Sequence, residues 1–162
     1  MGQVILDWEL LSTALQGYRA AGKKIVSTNG VFDVLHVGHV RYLQGARSRG
    51  DCLVVGVNSD ACTHHLKGPD RPFVPQNERM EMVAALACVD FVTLFEEPTP
   101  EALLDVIQPD IHAKGGDYHL ALLPETAVVH SHGGKVVTVP YEEGYSTTSL
   151  SERIAAVITQ RG

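Results

Sequence analysis

The chain has 162 residues, 44% hydrophobic and 20% charged, with a formal net charge of −6. That length suits one domain that can bury a full core without disulfide or metal staples. The acidic balance speaks against a broad nucleic-acid-binding face, and no stretch approaches the 18 or so uninterrupted apolar residues of a membrane span. Cys52, Cys62 and Cys88 show no C-x-x-C spacing, which fits buried thiols in a reducing compartment better than a disulfide framework or zinc site. The first residues lack a basic segment followed by a long apolar one, so no signal peptide is read and a cytoplasmic location is expected.

A helical pattern starts at Asp7, with Leu10, Leu11, Ala14, Leu15 and Tyr18 on one face and Gly22 as a stop. Lys23 to Ser27 is a first strand. Residues 28–39, T-N-G-V-F-D-V-L-H-V-G-H, form a tight loop that leads into a helix ending near Gly50. Asp51 to Asn58 is the nearly continuous apolar strand of a buried parallel sheet. Residues 59–73, with Lys67-Gly68-Pro69-Asp70-Arg71-Pro72, read as a loop, and Asn77 caps a helix through Ala87. Asp90 to Phe95 is a third strand, and Thr99-Pro100-Glu101 starts a helix to about Ile107. Asp110 to Lys114 is a fourth strand, followed by Gly115-Gly116-Asp117-Tyr118. A helix from Pro124 to Ser131, the pair Gly133-Gly134 and a fifth strand from Lys135 to Val139 follow. Ser146 or Thr147 caps a last helix to Gln160.

This alternation predicts an α/β fold, a Rossmann-like, doubly wound, five-stranded parallel sheet with helices on both faces. Residues 1–22 form an N-terminal helix on a core of 23–162, within one domain. Ligands of such sheets bind beyond the carboxyl ends of the strands, where strand order reverses. The loops 28–39, 59–73, 114–118 and 140–148 emerge on that edge and hold most of the chemically suggestive residues.

His36 and His39 stand at i and i+3, on one side of the first turn of a helix. Gly38 leaves room beside the backbone, and the helix N-terminus offers free N–H groups and its positive dipole end. A phosphate fits such a site. A metal pair is the other reading, although helical metal pairs are more often spaced i, i+4 with a third ligand. Taken alone, Lys114-Gly115-Gly116-Asp117-Tyr118 reads as a β-turn with a solvated lysine, and Lys67 and Arg71 as charges on a mobile loop. One hydroxyl of Ser146-Thr147-Thr148 is an N-cap; three in a row after Gly144 suggest a second phosphate contact.

The string Asn29-Gly30 with Phe32-Asp33 and then His36-x-Gly38-His39 resembles the signature of the HxGH nucleotidyltransferase superfamily. Val57-Asn58-Ser59-Asp60, Leu66-Lys67-Gly68 with Arg71-Pro72, Arg79-Met80, Phe95-Glu96-Glu97-x-Thr99-Pro100, Lys114-Gly115-Gly116-Asp117-Tyr118 and Gly144-x-Ser146-Thr147-Thr148 follow in order. Together, over roughly residues 23 to 158, they are similar to the adenylyltransferase domain of bifunctional ADP-heptose synthases. That family transfers AMP from ATP to D-glycero-β-D-manno-heptose 1-phosphate, giving ADP-heptose and pyrophosphate, in lipopolysaccharide biosynthesis. Its bifunctional members carry a sugar kinase ahead of this domain; here only the helix around 7–21 precedes it, so a stand-alone form working with a separate kinase is expected.

The resemblance implies catalytic roles for His36, His39 and Lys67. It implies nucleotide contacts from Thr28, Asn29, Gly30, Phe32, Asp33, Gly38, His39, Lys114, Gly116, Asp117, Ser146, Thr147 and Thr148. Substrate contacts fall to Asp33, Asn58, Arg71 and Arg79. No metal site built from protein ligands is expected; Mg²⁺ comes as a cofactor bridging the triphosphate. The implied partners are ATP and a sugar 1-phosphate, without nucleic acid or membrane, and a homodimer is the family-level expectation. Two departures stand out. Tyr141 occupies the place of an arginine that accompanies CTP in the cytidylyltransferases, which points to ATP. Ser151 stands where relatives usually carry a basic residue, with Arg153 nearby.

A charged imidazole is expected to be what the histidines contribute, since the reacting groups carry several negative charges. The alternative within enzymes is another HxGH transferase, such as a glycerol-3-phosphate cytidylyltransferase or an FMN or pantetheine-phosphate adenylyltransferase. Outside enzymes it is a nucleotide-binding regulatory domain without chemistry, which intact His36, Gly38 and His39 disfavour.

Overall fold

A computed structural model describes residues 1–116, 123–140, 145 and 147–160. The elements run β1 (Gln3–Val4), α1 (Trp8–Ala20), β2 (Ile25–Gly30), α2 (Val37–Arg47), β3 (Cys52–Asn58), α3 (Asp60–Lys67) and α4 (Gln76–Ala84). Then come β4 (Phe91–Phe95), α5 (Glu101–Ile107), β5 (Ile111–Gly115), α6 (Pro124–Ser131), β6 (Lys135–Val139) and α7 (Thr147–Thr159). The strands form one parallel sheet in the order β1-β4-β3-β2-β5-β6. The chain builds outward from β2 through β3 and β4, then returns to lay β5 and β6 on the other side of β2. The reversal therefore lies between β2 and β5.

The five expected strands are present, and β1 adds a sixth at the edge, pairing Gln3 with Phe91 and Val4 with Val92. Two residues with exposed side chains offer no alternation to read. A second difference is α3, in a stretch read as loop. Asp-Ala-Cys-Thr-His-His-Leu-Lys has no wide apolar stripe, yet the Ser59 side chain caps it by accepting from Cys62 N–H at 3.1 Å. An acid in its first turn and His64, His65 and Lys67 in its last agree with the helix dipole. Helix α4 starts at Gln76 after Pro75 and ends at Ala84, short of the expected Ala87.

Both faces of the sheet are covered. Tyr42, Leu43 and Ala46 of α2 and Met80, Val83 and Ala84 of α4 pack on Val26, Leu53, Val55, Val57 and Val92. On the other face Leu11 and Leu15 of α1 and Leu103 and Ile107 of α5 meet Ile25, Cys52, Val54 and Phe91. Every residue of β3 is buried, as a central parallel strand requires. Asp7 caps α1 through Glu9 and Leu10 N–H. Leu10 itself, expected on the packed face, is 61% exposed, while Leu11 and Leu15 are fully buried.

The sheet's amino edge is fixed by aspartates that precede three strands. Asp51 donates its N–H to Lys24 O and accepts Lys24 N–H on Oδ2, both at 2.8 Å. Asp90 does the same with Leu53 (3.0 and 2.8 Å), and Asp110 with Ile25 (3.0 and 2.7 Å). Each carboxylate thus closes the first rung between neighbouring strands and sets their register. Asp110→Ala is expected to destabilise the fold by about 1–3 kcal/mol, the cost of leaving the half-buried Ile25 N–H without its charged acceptor. Asp110→Asn should recover much of that, and urea unfolding of the two variants measures the difference.

Candidate active site

Where β2 and β5 part at the carboxyl edge, a cavity of about 310 Å³ opens. Its wall is Asn29, Gly30, Val31, Phe32, His39, Tyr42, Lys67, Lys114 and Gly115. The parallel register brings the ends of β2 and β5 together, the loop after β2 supplies Phe32, α2 supplies His39 and Tyr42, and α3 ends on Lys67. This is the switch point of the sheet, where a doubly wound fold leaves a crevice.

The loop is held in an unusual shape. Phe32 sits at φ +50°, a left-handed conformation that bulky side chains rarely adopt and that costs of order 1–3 kcal/mol. Its ring is buried, covers Gly30, where an added Cβ would lie 3.1 Å from Phe32 Cε2, and leans on His39 with ring centroids 5.3 Å apart. Asp33 follows, 1% exposed. Its carboxylate accepts from Phe73 N–H at 2.7 Å, Val74 N–H at 3.0 Å and the Arg71 guanidinium. Arg71 also stacks on Phe73, 4.5 Å from the ring centroid.

The two histidines stack, with centroids 3.9 Å apart and planes 24° apart. Gly38 is needed for this: a Cβ there would meet His36 Nδ1 and Cε1 at 3.0 Å and Tyr145 Cβ at 2.9 Å. The room beside Gly38 is therefore taken by the protein's own side chains. His36 N–H donates to His39 Nδ1 at 3.4 Å, which leaves the proton of a neutral His39 on Nε2. Burial first, then His36 and Lys67, lower His39 from 6.5 to about 4; burial also lowers His36. The free site at neutral pH thus holds neutral imidazoles, which departs from the charged form expected from the sequence. A buried ring beside a lysine cannot cheaply hold a proton until an anion arrives.

The cations differ in their surroundings. Among the described residues Lys67 makes no hydrogen bond or ion pair, and burial, followed by Arg71, lowers its pKa. Lys114 donates to Asn29 Oδ1 at 3.2 Å and pairs with Glu125 at 2.7 Å. Tyr42 donates to Ala113 O at 2.9 Å and its hydroxyl lies 2.6 Å from that of Thr28.

The structure thus brings Asn29, Gly30, Phe32, His39, Lys67 and Lys114 to one cavity, with His36 and Gly38 behind His39. Thr28 is buried against Tyr42. Gly116 follows at φ +104°, a glycine conformation. Thr147 and Thr148 open α7 two residues after Tyr145 and are not on the cavity wall. Asp117 and Ser146, like Tyr141, lie outside the described residues. Asp33 and Arg71 engage each other. Arg79 is fully buried and donates to Val74 O, Val31 O, Asn58 O and Asp60. Asn58 is also buried, its side-chain amide donating to Cys62 Sγ at 3.3 Å. Both sit under the loops, not on the wall. Tyr42 and Glu125 escaped the sequence reading. Tyr42 stands three residues after His39 on the same helix face, a signal that was there; Glu125 has no local signal.

The cytidylyltransferase-like family matches residues 27–153. The chain belongs to this family. It is 51% identical over 150 residues to the bifunctional protein HldE of Syntrophotalea carbinolica, a match that covers 90% of this chain and 30% of that protein. The HldE of Trichlorobacter lovleyi is 47% identical, with 93% and 30% covered. The chain thus spans about 30% of the length of these curated relatives. Among solved structures, a lipopolysaccharide core biosynthesis protein from Thermoplasma volcanium is 30% identical with a TM-score of 0.63, covering 77% of this chain and all of that one. Pantothenate synthetase from Thermus thermophilus, at 16% identity and a TM-score of 0.59, shares the fold; the match covers 85% of this chain and 61% of that one. The family resemblance read from the HxGH string holds, and the fold is that of Rossmann-like nucleotidyltransferases. No helix among the described residues is long and apolar enough to cross a membrane.

Histidine burial gives a testable pH dependence. His39 at about 4 and the buried His112 at about 3, also lowered by burial, bind more protons when unfolded than when folded. Stability should therefore rise with pH from about 3 to about 6.5, most steeply above about 4 where both groups contribute, and level off above. In NMR titration the free protein's His39 resonance should show a midpoint near 4, and an ATP analogue should raise it. A midpoint at 6.5 without ligand would overturn the assignment.

Proposed function

We propose that this single domain, residues 1–162, transfers AMP from ATP to a heptose 1-phosphate, D-glycero-β-D-manno-heptose 1-phosphate, and releases ADP-heptose and pyrophosphate. The supporting observation is the cavity at the switch point, where His39, Lys67 and Lys114 converge and, among the described residues, no carboxylate lies on the wall. Identity of 51% to a bifunctional HldE protein supports the choice of sugar.

The chemistry follows from charge. A sugar 1-phosphate is already largely dianionic near neutral pH, its second pKa being about 6. Its oxygen attacks the α-phosphorus, forming one P–O bond while the bond to the bridging oxygen breaks and its electron pair leaves with pyrophosphate. No general base and no covalent enzyme intermediate is required. What must be met is the negative charge on the α-phosphate and leaving group, and fixed donors meet it best. His39 Nε2–H, Lys67 and Lys114 are those donors, with His36 stacked behind to hold the ring. Neutral in the free site, His39 either donates as a neutral group or gains a proton as the triphosphate enters.

Mg²⁺ is proposed to arrive with the triphosphate. Among the described residues no three His, Cys, Asp or Glu side chains could hold a metal, and the one carboxylate of the signature loop, Asp33, is engaged by Arg71, Phe73 and Val74. Phosphate and water ligands suit Mg²⁺, whose bound role is to offset phosphate charge. A homodimer belongs to the same family-based reading, and light scattering of the purified chain tests it.

Pyrophosphate release with ATP and a panel of sugar 1-phosphates tests the function. Turnover with the heptose 1-phosphate and ATP is expected; equal turnover with CTP would sink the nucleotide choice that Tyr141 suggests. His39→Ala should lower kcat by roughly 10²–10³, the usual loss on removing one preorganised donor to a developing oxyanion, with little change in ATP affinity. His39→Asn separates the two forms: it should recover part of that loss where His39 donates as a neutral group, and little where the imidazole gains a proton with the triphosphate. A near-normal rate for His39→Ala would remove the signature loop from the chemistry.

A further inference from the structure

Glu125 is a carboxylate where the fold has little use for one. It lies in the first turn of α6, its side chain only 4% exposed, and among the described residues its ion-pair partner is Lys114 at 2.7 Å. A buried carboxylate is costly unless a cation and hydrogen bonds compensate it. The helix N-terminus offsets some of the charge and Lys114 most of the rest. Glu125 is absent from the cavity wall, whereas Lys114 is part of it.

A lysine at the end of a strand ordinarily swings its head group into water. Here two partners, Asn29 Oδ1 at 3.2 Å and Glu125 Oε1 at 2.7 Å, hold Nζ at the cavity. An ammonium has three donors. Among the described residues one hydrogen bond, to Asn29, and one ion pair, to Glu125, engage it, which leaves donor capacity for a ligand. The arrangement has an electrostatic cost. The Glu125 charge cancels much of the Lys114 charge and so weakens the pull on any polyanion in its ground state. Lys67, with no such partner among the described residues, supplies that pull.

We propose that Glu125 is a positioning residue that aims Lys114 at the reacting phosphate, giving up ground-state anion affinity for orientation in the transition state. The proposal rests on the reading of the cavity as an ATP site. It predicts a split that a purely structural role would not give. Glu125→Gln keeps shape and an acceptor oxygen but removes the charge. Its kcat should fall by roughly 10- to 100-fold, as misplacement of a catalytic group does, while KM for ATP stays level or falls.

The experiment measures pyrophosphate release by Glu125→Gln, Lys114→Met and the double variant, with calorimetric titration of a non-hydrolysable ATP analogue and Mg²⁺. In the Lys114→Met background, adding Glu125→Gln should change kcat by no more than about twofold, because the route through Lys114 is already cut. Unchanged kcat in Glu125→Gln, or an equal loss in both backgrounds, overturns the proposal. If the parent chain turns over no sugar phosphate at all, the functional reading fails, and the analogue decides separately. Lys114→Met should then bind it more weakly and Glu125→Gln as tightly or more so; equal weakening overturns the proposal. Should Glu125→Gln not fold, Glu125→Asp, which keeps the charge and withdraws it by one methylene, must show the same fall in kcat, and a level kcat there overturns it.

Discussion

The site depends on the parting of β2 from its two neighbours. β3 stays with β2 for six paired residues, from Ile25 to Gly30, whereas β5 pairs with it through Val26 and Ser27. Beyond that point β2 and β5 carry Asn29, Gly30, Lys114 and Gly115 to the rim without a ladder between them. The gap cannot close, because connections to β3 and β5 leave in opposite directions. Tyr42 spans it from α2, bonded to Thr28 on one strand and Ala113 on the other. A polar cavity is thus a consequence of strand order before any catalytic residue is placed.

What fills the rim is sorted by charge. The protein is acidic overall, yet among the described residues the cavity wall has two lysines and no acid. Among the described residues, acids nearby pair with cations: the buried Asp33 with Arg71, the buried Glu125 with Lys114, and the more exposed Asp60 with the buried Arg79. These pairs are tertiary struts. Asp33 ties the signature loop to residues 71–74, and Arg79 ties Val31, Asn58 and Val74 to one guanidinium. Breaking such a pair leaves a buried charge without compensation, so each strut is rigid by default.

The sequence carried the architecture well. Alternating strands and helices, the apolar run of β3 and the cap at Asp7 all have local signals, and the edge on which the site opens follows from strand order. The site was legible where the signature is contiguous: Asn29, Gly30, Phe32 and His39 sit together because twelve residues dictate one loop. It was less legible where side chains reach across the fold. Arg71, Arg79 and Asn58 read as ligand-binding polar residues, but sequence does not show whether a polar group faces a ligand or another buried group. Glu125 is the converse case, an acid in an ordinary helical first turn whose partner lies in the preceding strand. Helix α3 was missed because its signals are caps and charges and not an apolar stripe.

The histidines show the same limit in electrostatics. Counting charges suggests that imidazolium faces the phosphates. Geometry adds what counting omits: the rings stack on each other, Phe32 leans on one, and burial first, then His36 and Lys67, disfavours a proton on His39. A site built to receive several negative charges must not hold an equal number of positive ones while empty, since those charges would repel each other inside a poorly solvated pocket. Burial, with the charges of His36 and Lys67 adding to it, lowers His39 to about 4, so the free site avoids that extra charge. In the proposed function a triphosphate would add negative charge beside His39 and favour its protonation. Under the proposed function His39 would take up a proton on triphosphate binding, and the burial that keeps it neutral in the free protein would strengthen its hydrogen bond to a phosphate oxygen.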